Sequence, residues 1–258
     1  PSPLRHKYRA EVVCVFVRRN KKFLLPGLAA LALLLTLTLG LLWLRPKSHA
    51  ALSPLSSRAP LILDAGHGGE DGGAVSVTGV PESQINLSIV RKLDGILGFY
   101  GQPAVLLRQE DVSLHDEDAQ TLRQKKTSDL HNRVELVEKI DGGILVSIHQ
   151  NSYPEARYHG AQVFYAPTQG SQALGQHLQM ALRDGLDSEN TREAKQIPDT
   201  VYLMNHVGCP AVLVECGFLT NPTEEAMLRN EDYQRKLAAV LAGGLLTRPQ
   251  GPEALGTV

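Results

Sequence analysis

The sequence has few cysteines and almost no net charge, and each shortage excludes a class of protein. Three cysteines in 258 residues exclude a small domain that is built on disulfides. A formal net charge of −1 argues against nucleic acid as a partner, because proteins that bind its phosphate backbone carry an excess of lysine and arginine. The hydrophobic fraction of 43% and the charged fraction of 21% are those of a globular chain, so the sequence can bury a sizeable core.

Positive charge is concentrated at the N-terminus, in front of a long uncharged stretch. Residues 1–22 contain seven basic side chains and one acidic side chain. Residues 23–44 carry no charge, and twelve of these 22 residues are leucine. A helix of that length is about 33 Å long, which exceeds the roughly 30 Å of a bilayer's hydrocarbon core. The pattern predicts a basic cytoplasmic segment 1–22 and a transmembrane helix 23–44, with the rest of the chain outside the cytoplasm.

A cleaved signal peptide is the alternative for the same residues. Ser48, His49 and Ala50 have the small-x-small spacing of a cleavage site. The uncharged stretch is longer than the apolar region of a signal peptide, which has about 7–15 residues, and this favours an uncleaved anchor. Residues 45–60 are rich in proline, serine and alanine, so they are predicted to be a linker.

Short apolar runs alternate with amphipathic stretches over residues 61–248, a pattern typical of an α/β domain. The predicted strands are 61–64, 104–107, 144–148, 161–165 and 211–214, with a weak one at 201–203. The predicted helices are 83–97, 129–139, 172–186 and 232–246, and residues 249–258 form a C-terminal tail. We therefore expect a single α/β domain with a mixed, mostly parallel sheet flanked by helices. Residues 110–128 are polar and lack apolar periodicity; they are predicted to be a solvated loop, with a lid beside an active site as the alternative.

Two histidines follow predicted strands, where α/β proteins present reactive groups. His67 lies in a glycine-rich turn after strand 61–64, and His149 follows strand 144–148. Glu82 precedes the first predicted helix. Two imidazoles and a carboxylate form a catalytic zinc set that leaves a fourth position for water. The helical metallopeptidase motif HExxH is absent. The residues therefore predict a zinc site of His67, Glu82 and His149.

Three further polar residues near strand ends are candidates for supporting roles. Glu215 follows the apolar run 211–214, where a partly desolvated carboxylate could accept and return a proton; the alternative is a glutamate that simply faces water. Asp64 could hydrogen-bond a ligating imidazole or cap the turn. Asn151 could hold substrate or only the loop.

Four separated motifs resemble those of one protein family. DAGHGGEDGGA, Glu82, SIHQN and VLVECGFLTN occur in this order between about residues 61 and 246. On these motifs the chain is identified as a member of the zinc-dependent N-acetylmuramoyl-L-alanine amidases. SDLHNRV, YHGAQVFY, NTREAKQI and YLMNHVGCPAVLVECGFLTNP resemble the membrane-anchored, germination-specific branch of that family, which acts on spore cortex.

The resemblance implies a mixed sheet flanked by helices, Zn²⁺ bound by His67, Glu82 and His149, and Glu215 as the catalytic carboxylate. The substrate would be peptidoglycan, cut at the amide that joins the lactyl group of N-acetylmuramic acid to L-alanine, with muramic-δ-lactam formed in the cortex. Arg133 matches an arginine of the family and could meet substrate carboxylates, or it could form a surface salt bridge. The domain would lie in the cell wall or the spore intermembrane space, where an accessory protein could activate it.

Two other functions stay open. The same metal set could serve a zinc carboxypeptidase or endopeptidase that acts on stem peptides. A membrane-anchored wall-binding protein without activity could also keep such residues. Only the products of a reaction with peptidoglycan distinguish these functions.

Overall fold

The computed structural model describes residues 58–249 and Thr36. The chain divides into two compact units, Pro1–Pro54 and Leu55–Val258, and of the first unit only Thr36 is described. Apart from Thr36, the predicted basic segment and transmembrane helix lie outside the described residues, as do the linker up to residue 57 and the tail after residue 249. Within the described part of the chain, no helix combines the length and apolar character that a membrane crossing needs.

Six strands form one sheet at the centre of the domain. They are β1 (Leu61–Ala65), β2 (Ala104–Leu106), β3 (Ile144–Asn151), β4 (Gln162–Tyr165), β5 (Lys195–Gln196) and β6 (Ala211–Phe218). Their order across the sheet is β2-β1-β3-β6-β4-β5. The first four strands in this order are parallel, β4 is antiparallel to β6, and β5 is parallel to β4. The prediction of a mixed, mostly parallel sheet in an α/β domain is confirmed.

Helices cover both faces of the sheet. They are α1 (Glu82–Phe99), α2 (Leu122–Glu138), α3 (Ser171–Leu186), α4 (Tyr202–His206), α5 (Pro222–Leu228) and α6 (Glu231–Thr247). On one face α1, α3 and α6 bury Ile89, Leu178 and Leu241 against the sheet. On the other face α2 and α4 bury Val137 and Met204. Full burial of each such side chain stabilises the fold by roughly 1.5–3 kcal/mol, so both apolar layers fix the sheet that carries the site.

The weak strand predicted at 201–203 is wrong, because Tyr202–His206 form helix α4. The Asn205 side chain donates to the carbonyl of Val201 at 2.8 Å. The rings of Tyr202 and His206 stack with 3.8 Å between their centroids, at the i, i+4 spacing of neighbours on a helix. An apolar run this short does not distinguish a strand from a buried helix by its periodicity.

Helix α2 begins at Leu122 rather than at residue 129, so the predicted loop is wrong for residues 122–128. Thr121 forms a capping box with Gln124: the Gln124 backbone N–H donates to Thr121 Oγ1 at 3.2 Å, and Gln124 Oε1 accepts from the Thr121 backbone N–H at 3.0 Å. Such a cap fixes the start of a helix. The helix has little apolar periodicity because its buried residues are mostly polar: Asp129, Arg133 and Val137.

Candidate metal centre

Three donor groups from three different elements meet at the carboxyl ends of β1 and β3. His67 lies in the turn after β1, Glu82 is the first residue of α1, and His149 lies within β3. Glu82 Oε1 is 2.9 Å from His149 Nδ1, and Glu82 Oε2 is 3.3 Å from His67 Nε2. One donor atom from each residue lies within 4.8 Å of the others, so the three side chains could hold a metal ion.

Glycines allow the backbone to pass this close to the donor groups. A Cβ atom at Gly66 would lie 2.1 Å from His149 Nε2. A Cβ atom at Gly73 would lie 2.5 Å from Glu82 Oε2, and Gly73 has a φ of +70°. His67 itself has a φ of +62°, which is uncommon for a residue with a Cβ atom. The glycine-rich turn is therefore required by the geometry of the site.

Glu82 is buried and held by donors from three parts of the chain. The backbone N–H of Ala74 donates to Oε2 at 2.9 Å, and that of Gln150 donates to Oε1 at 3.1 Å. The side-chain amide of Asn86 donates to Oε1 at 3.2 Å. Burial raises the pKa of Glu82, but the two neighbouring imidazoles outweigh burial and hold this pKa well below its usual range. Glu82 is therefore an ionised, oriented carboxylate.

Asp71 orients the first histidine, a role that the sequence analysis did not assign to it. Its Oδ2 atom is 2.9 Å from His67 Nδ1, which leaves His67 Nε2 directed at Glu82. Burial lowers the pKa of His67, but the hydrogen bonds with Asp71 and Glu82 raise it to about 9. The four-residue spacing within one turn was the available signal, since a carboxylate commonly binds the second nitrogen of a metal-ligating histidine.

Arg133 is buried, so both predictions for it, a substrate contact and a surface salt bridge, are wrong. Its Nη1 donates to Asp64, its Nε donates to Asp129 Oδ2 at 2.7 Å, and its Nη2 donates to the His67 carbonyl at 2.7 Å. With two further contacts, its N–H donors are fully used. Asp64 accepts from Arg133 and from Ser147 Oγ and forms no hydrogen bond with an imidazole of the described residues. The predicted contact of Asp64 with a ligating histidine is therefore wrong.

Arg108 is a second buried arginine that the sequence analysis did not identify. Its Nε donates to the carbonyl of Ala65 at 2.7 Å. Its Nη2 donates to the carbonyls of Gly66 at 3.1 Å and Ser83 at 2.9 Å. Arg108 thus ties the turn before the first histidine to the start of α1, which carries the glutamate ligand candidate. Nothing in the local sequence distinguishes it from an exposed arginine.

Glu215 lies within β6, directly opposite His149 in the parallel register. Its Oε2 atom is buried and accepts no hydrogen bond from the described residues. Burial raises the pKa of Glu215 to about 7, with the charge of His149 opposing part of this effect. A carboxyl group with such a pKa can both accept and donate a proton near neutral pH.

Asn151 is the last residue of β3 and is partly exposed at the same end of the sheet. Its carbonyl accepts from the Leu219 N–H at 2.8 Å, and its side chain forms no hydrogen bond within the described residues. Its role with substrate stays a prediction. A separate cavity of about 580 Å³, lined by Val137, Ile144 and Pro210 among others, lies at the opposite end of the strands and contains none of the donor groups.

The sheet presents two histidines at its strand ends, close to a glutamate at the start of α1, and these three residues could hold a metal ion. A second glutamate beside them has a carboxylate oxygen that accepts no hydrogen bond within residues 58–249, and such a set is suited to a hydrolase. The chain belongs to the N-acetylmuramoyl-L-alanine amidase family, whose sequence model matches residues 61–247.

Relatives of known sequence and structure agree with this assignment. The germination-specific N-acetylmuramoyl-L-alanine amidase of Bacillus subtilis is 34% identical over 194 residues, which are 75% of this chain and 80% of that protein. The CwlD amidase of Clostridioides difficile, solved in complex with the GerS lipoprotein, has a TM-score of 0.70 and 38% identity over 73% of this chain and 97% of its own. Another N-acetylmuramoyl-L-alanine amidase, from Clostridium difficile 630, has a TM-score of 0.64 and 29% identity over 73% of this chain and 95% of its own.

Proposed function

We propose that this chain is a zinc-dependent amidase that cuts peptidoglycan at the amide between the lactyl group of N-acetylmuramic acid and L-alanine. The observation that carries the proposal is the carboxylate of Glu215. One of its oxygens is buried without a hydrogen-bond donor, and the residue lies opposite His149 in the sheet. Membership of the amidase family supports the choice of substrate.

The residues present fit a zinc ion. Two imidazole nitrogens and one carboxylate oxygen lie within 4.8 Å of one another, and this donor set is one that catalytic zinc sites use. His67, Glu82 and His149 would hold the ion. When bound, Zn²⁺ would supply Lewis-acid polarisation of the substrate carbonyl and would make water reactive near neutral pH.

Glu215 moves the proton that amide hydrolysis requires. As the oxygen of water bonds to the carbonyl carbon, the Glu215 carboxylate accepts a proton from that water. When the carbon–nitrogen bond breaks, Glu215 donates this proton to the nitrogen of L-alanine, which leaves as a neutral amine. Burial raises the pKa of Glu215, and this favours the protonated form that the second step needs.

The biological setting is spore cortex, where removal of the stem peptide allows muramic-δ-lactam to form. The germination-specific relative supports this setting. The complex of the CwlD amidase with a lipoprotein supports an accessory protein as a partner of this chain as well. Residues 23–44 would anchor the protein in the membrane with its N-terminus in the cytoplasm and its amidase domain outside.

Mass spectrometry of peptidoglycan digested by the full chain with Zn²⁺ tests the proposal. We expect intact stem peptides that begin with L-alanine, together with glycan strands that carry free lactyl groups. The Glu215→Gln variant should be slower by about 100-fold or more, since general acid–base catalysis contributes about 10²–10⁴-fold.

The matched control is Glu135→Gln, which removes an exposed carboxylate of α2 and should leave the rate unchanged. Shortened stem peptides that remain on the glycan would show a peptidase instead. Glu215→Gln with the full wild-type rate would contradict the assigned role of this carboxylate.

A further inference from the structure

Arg192 precedes β5, and its side chain reaches β4, the strand next to the one that carries Glu215. In the antiparallel pair of β4 and β6, Gln162 is directly opposite Glu215, so the two side chains share one face of the sheet. Arg192 Nη1 donates to Gln162 Oε1 at 3.0 Å. Adjacent strands are about 4.8 Å apart. The guanidinium group therefore lies beside the site on the β4 side, opposite the side on which His67 lies.

The position of Arg192 is fixed from several directions. Its Nε donates to the carbonyl of His159 at 2.7 Å, and its Cζ lies 4.6 Å from the centre of the Phe218 ring. Its backbone is held as well: Arg183 Nη2 donates to the Arg192 carbonyl at 2.8 Å, and Asn190 Oδ1 accepts from the Arg192 N–H at 3.0 Å. A cation held in this way keeps its orientation when no ligand is bound.

Arg192 forms no ion pair within 4.0 Å among residues 58–249. The carboxylate that feels its charge is Glu224: burial raises the pKa of Glu224, and the charge of Arg192 lowers it. Two of the five N–H donors of Arg192 are used by the protein. Glu224, at the same corner, uses both carboxylate oxygens to accept the backbone N–H groups of Gly160 and Phe218. Arg192 thus differs from Arg133, whose donors are fully used.

We propose that Arg192 binds a carboxylate of the leaving peptide, one or two residues beyond the bond that is cut. Glu215 must reach the nitrogen of L-alanine, so the leaving peptide begins at Glu215. From there β4 is about 4.8 Å away, and Arg192 lies 3.0 Å beyond the Gln162 side chain. Two residues of extended peptide at about 3.4 Å each, together with the side chain of the second residue, cover this distance. A guanidinium with free Nη donors is suited to a planar carboxylate. This inference rests on the proposed amidase function. It predicts that the enzyme prefers stem peptides that carry a carboxylate close to L-alanine.

Two muramoyl-peptide substrates test the inference with the full chain and Zn²⁺. They differ only at the residue after L-alanine, which carries either a free carboxylate or a carboxamide. For the wild type we expect kcat/KM to be about tenfold to a hundredfold higher with the carboxylate, mainly through a lower KM, as for the loss of a hydrogen bond to a charged group. Arg192→Gln should remove this preference and leave the carboxamide substrate almost unaffected, and Arg192→Lys should restore part of it.

Arg157→Gln is the matched control, because Arg157 also lies over an aromatic ring but is exposed and paired with Glu155; it should keep the preference. Equal rates of the wild type on both substrates would overturn the inference without any variant, and would leave the amidase function intact. An equal loss by Arg192→Gln on both substrates would reduce Arg192 to a structural residue. A wild type that cuts neither substrate would overturn the amidase function, and this inference with it.

Discussion

Two buried guanidinium groups hold the turn after β1 in place. Arg108 and Arg133 both donate to the carbonyl of Ala65, at 2.7 and 3.1 Å. Burial and the charge of Arg133 lower the pKa of Arg108, whereas Arg133 is compensated by Asp64 and a second aspartate. Removal of one partner of a buried ion pair costs about 3–5 kcal/mol. The same side chains therefore support the stability of the domain and the shape of its site.

Gly66→Ala should damage the site without unfolding the domain. The new Cβ atom would lie 2.1 Å from His149 Nε2, so the imidazole must leave its position beside Glu82. Mutations that disturb the groups around a metal ligand typically lower metal affinity or activity by about 10- to 100-fold. Zinc affinity by competition with a chelating dye and the amidase rate should both fall by that factor.

Gly95→Ala serves as the control, since a Cβ atom there meets nothing within 4 Å. It lies inside helix α1, where alanine is favoured over glycine by about 1 kcal/mol. Its zinc affinity should equal that of the wild type. If Gly66→Ala also binds zinc normally, the imidazole has another acceptable position and the packing argument is wrong.

The chemical role of a residue could be predicted only where the pattern of strands places that residue at a strand end. His67, His149 and Glu215 follow apolar runs that end at one edge of the sheet, and the structure brings them together. The carboxylate beside His67 is that of Asp71 rather than Asp64. The sequence left two roles open for Asp64 and did not identify Asp71, because no local pattern encodes the path of the glycine-rich turn between His67 and Asp71.

At the scale of elements, α2 shows how a polar buried face hides a helix. Its inward side chains form ion pairs rather than an apolar stripe, so the sequence pattern predicts only its second half. The capping box at Thr121 was the other available indication. The two-residue strand β5 and the five-residue helix α4 are shorter than the windows over which periodicity can be measured.

Thr121→Ala should destabilise the domain by about 1 kcal/mol, because it removes the side chain that accepts the Gln124 N–H. For a domain of this size that corresponds to a fall in Tm of about 2–4 °C. Thr127→Ala is the control: Thr127 is exposed within the same helix, and alanine there should raise Tm slightly. Thermal unfolding followed by circular dichroism measures both. An equal change in the two variants would mean that the cap does not fix the start of α2.

At the scale of the whole molecule, the order of the strands brings distant parts of the sequence to one edge. β1, β3 and β6 are adjacent and parallel, so their carboxyl ends present His67, His149 and Glu215 side by side. Alternating strands and helices predicted this layout, because such a chain forms a parallel sheet with short connections. The reversal of β4 could not be predicted, since its apolar run is compatible with either direction. That reversal is what places Gln162 opposite Glu215.

Zinc should stabilise the whole domain, because its ligand candidates come from the turn after β1, the start of α1 and the strand β3. An ion that binds only the folded state adds about 4 kcal/mol at a concentration a thousand times its Kd. At about 2–4 °C for each kcal/mol, the Tm of the zinc-bound protein should be roughly 8–16 °C above that of the protein treated with a chelator.

Two histidine variants test this prediction. His149→Ala removes one ligand and should abolish most of the rise in Tm. His177→Ala should keep the rise, because His177 is hydrogen-bonded to α6 and is remote from the site. The same rise in His149→Ala would place the ion elsewhere on the chain. A rise confined to proteins with all three ligands would mean that one ion ties these elements together, and that its removal weakens the fold as well as the chemistry.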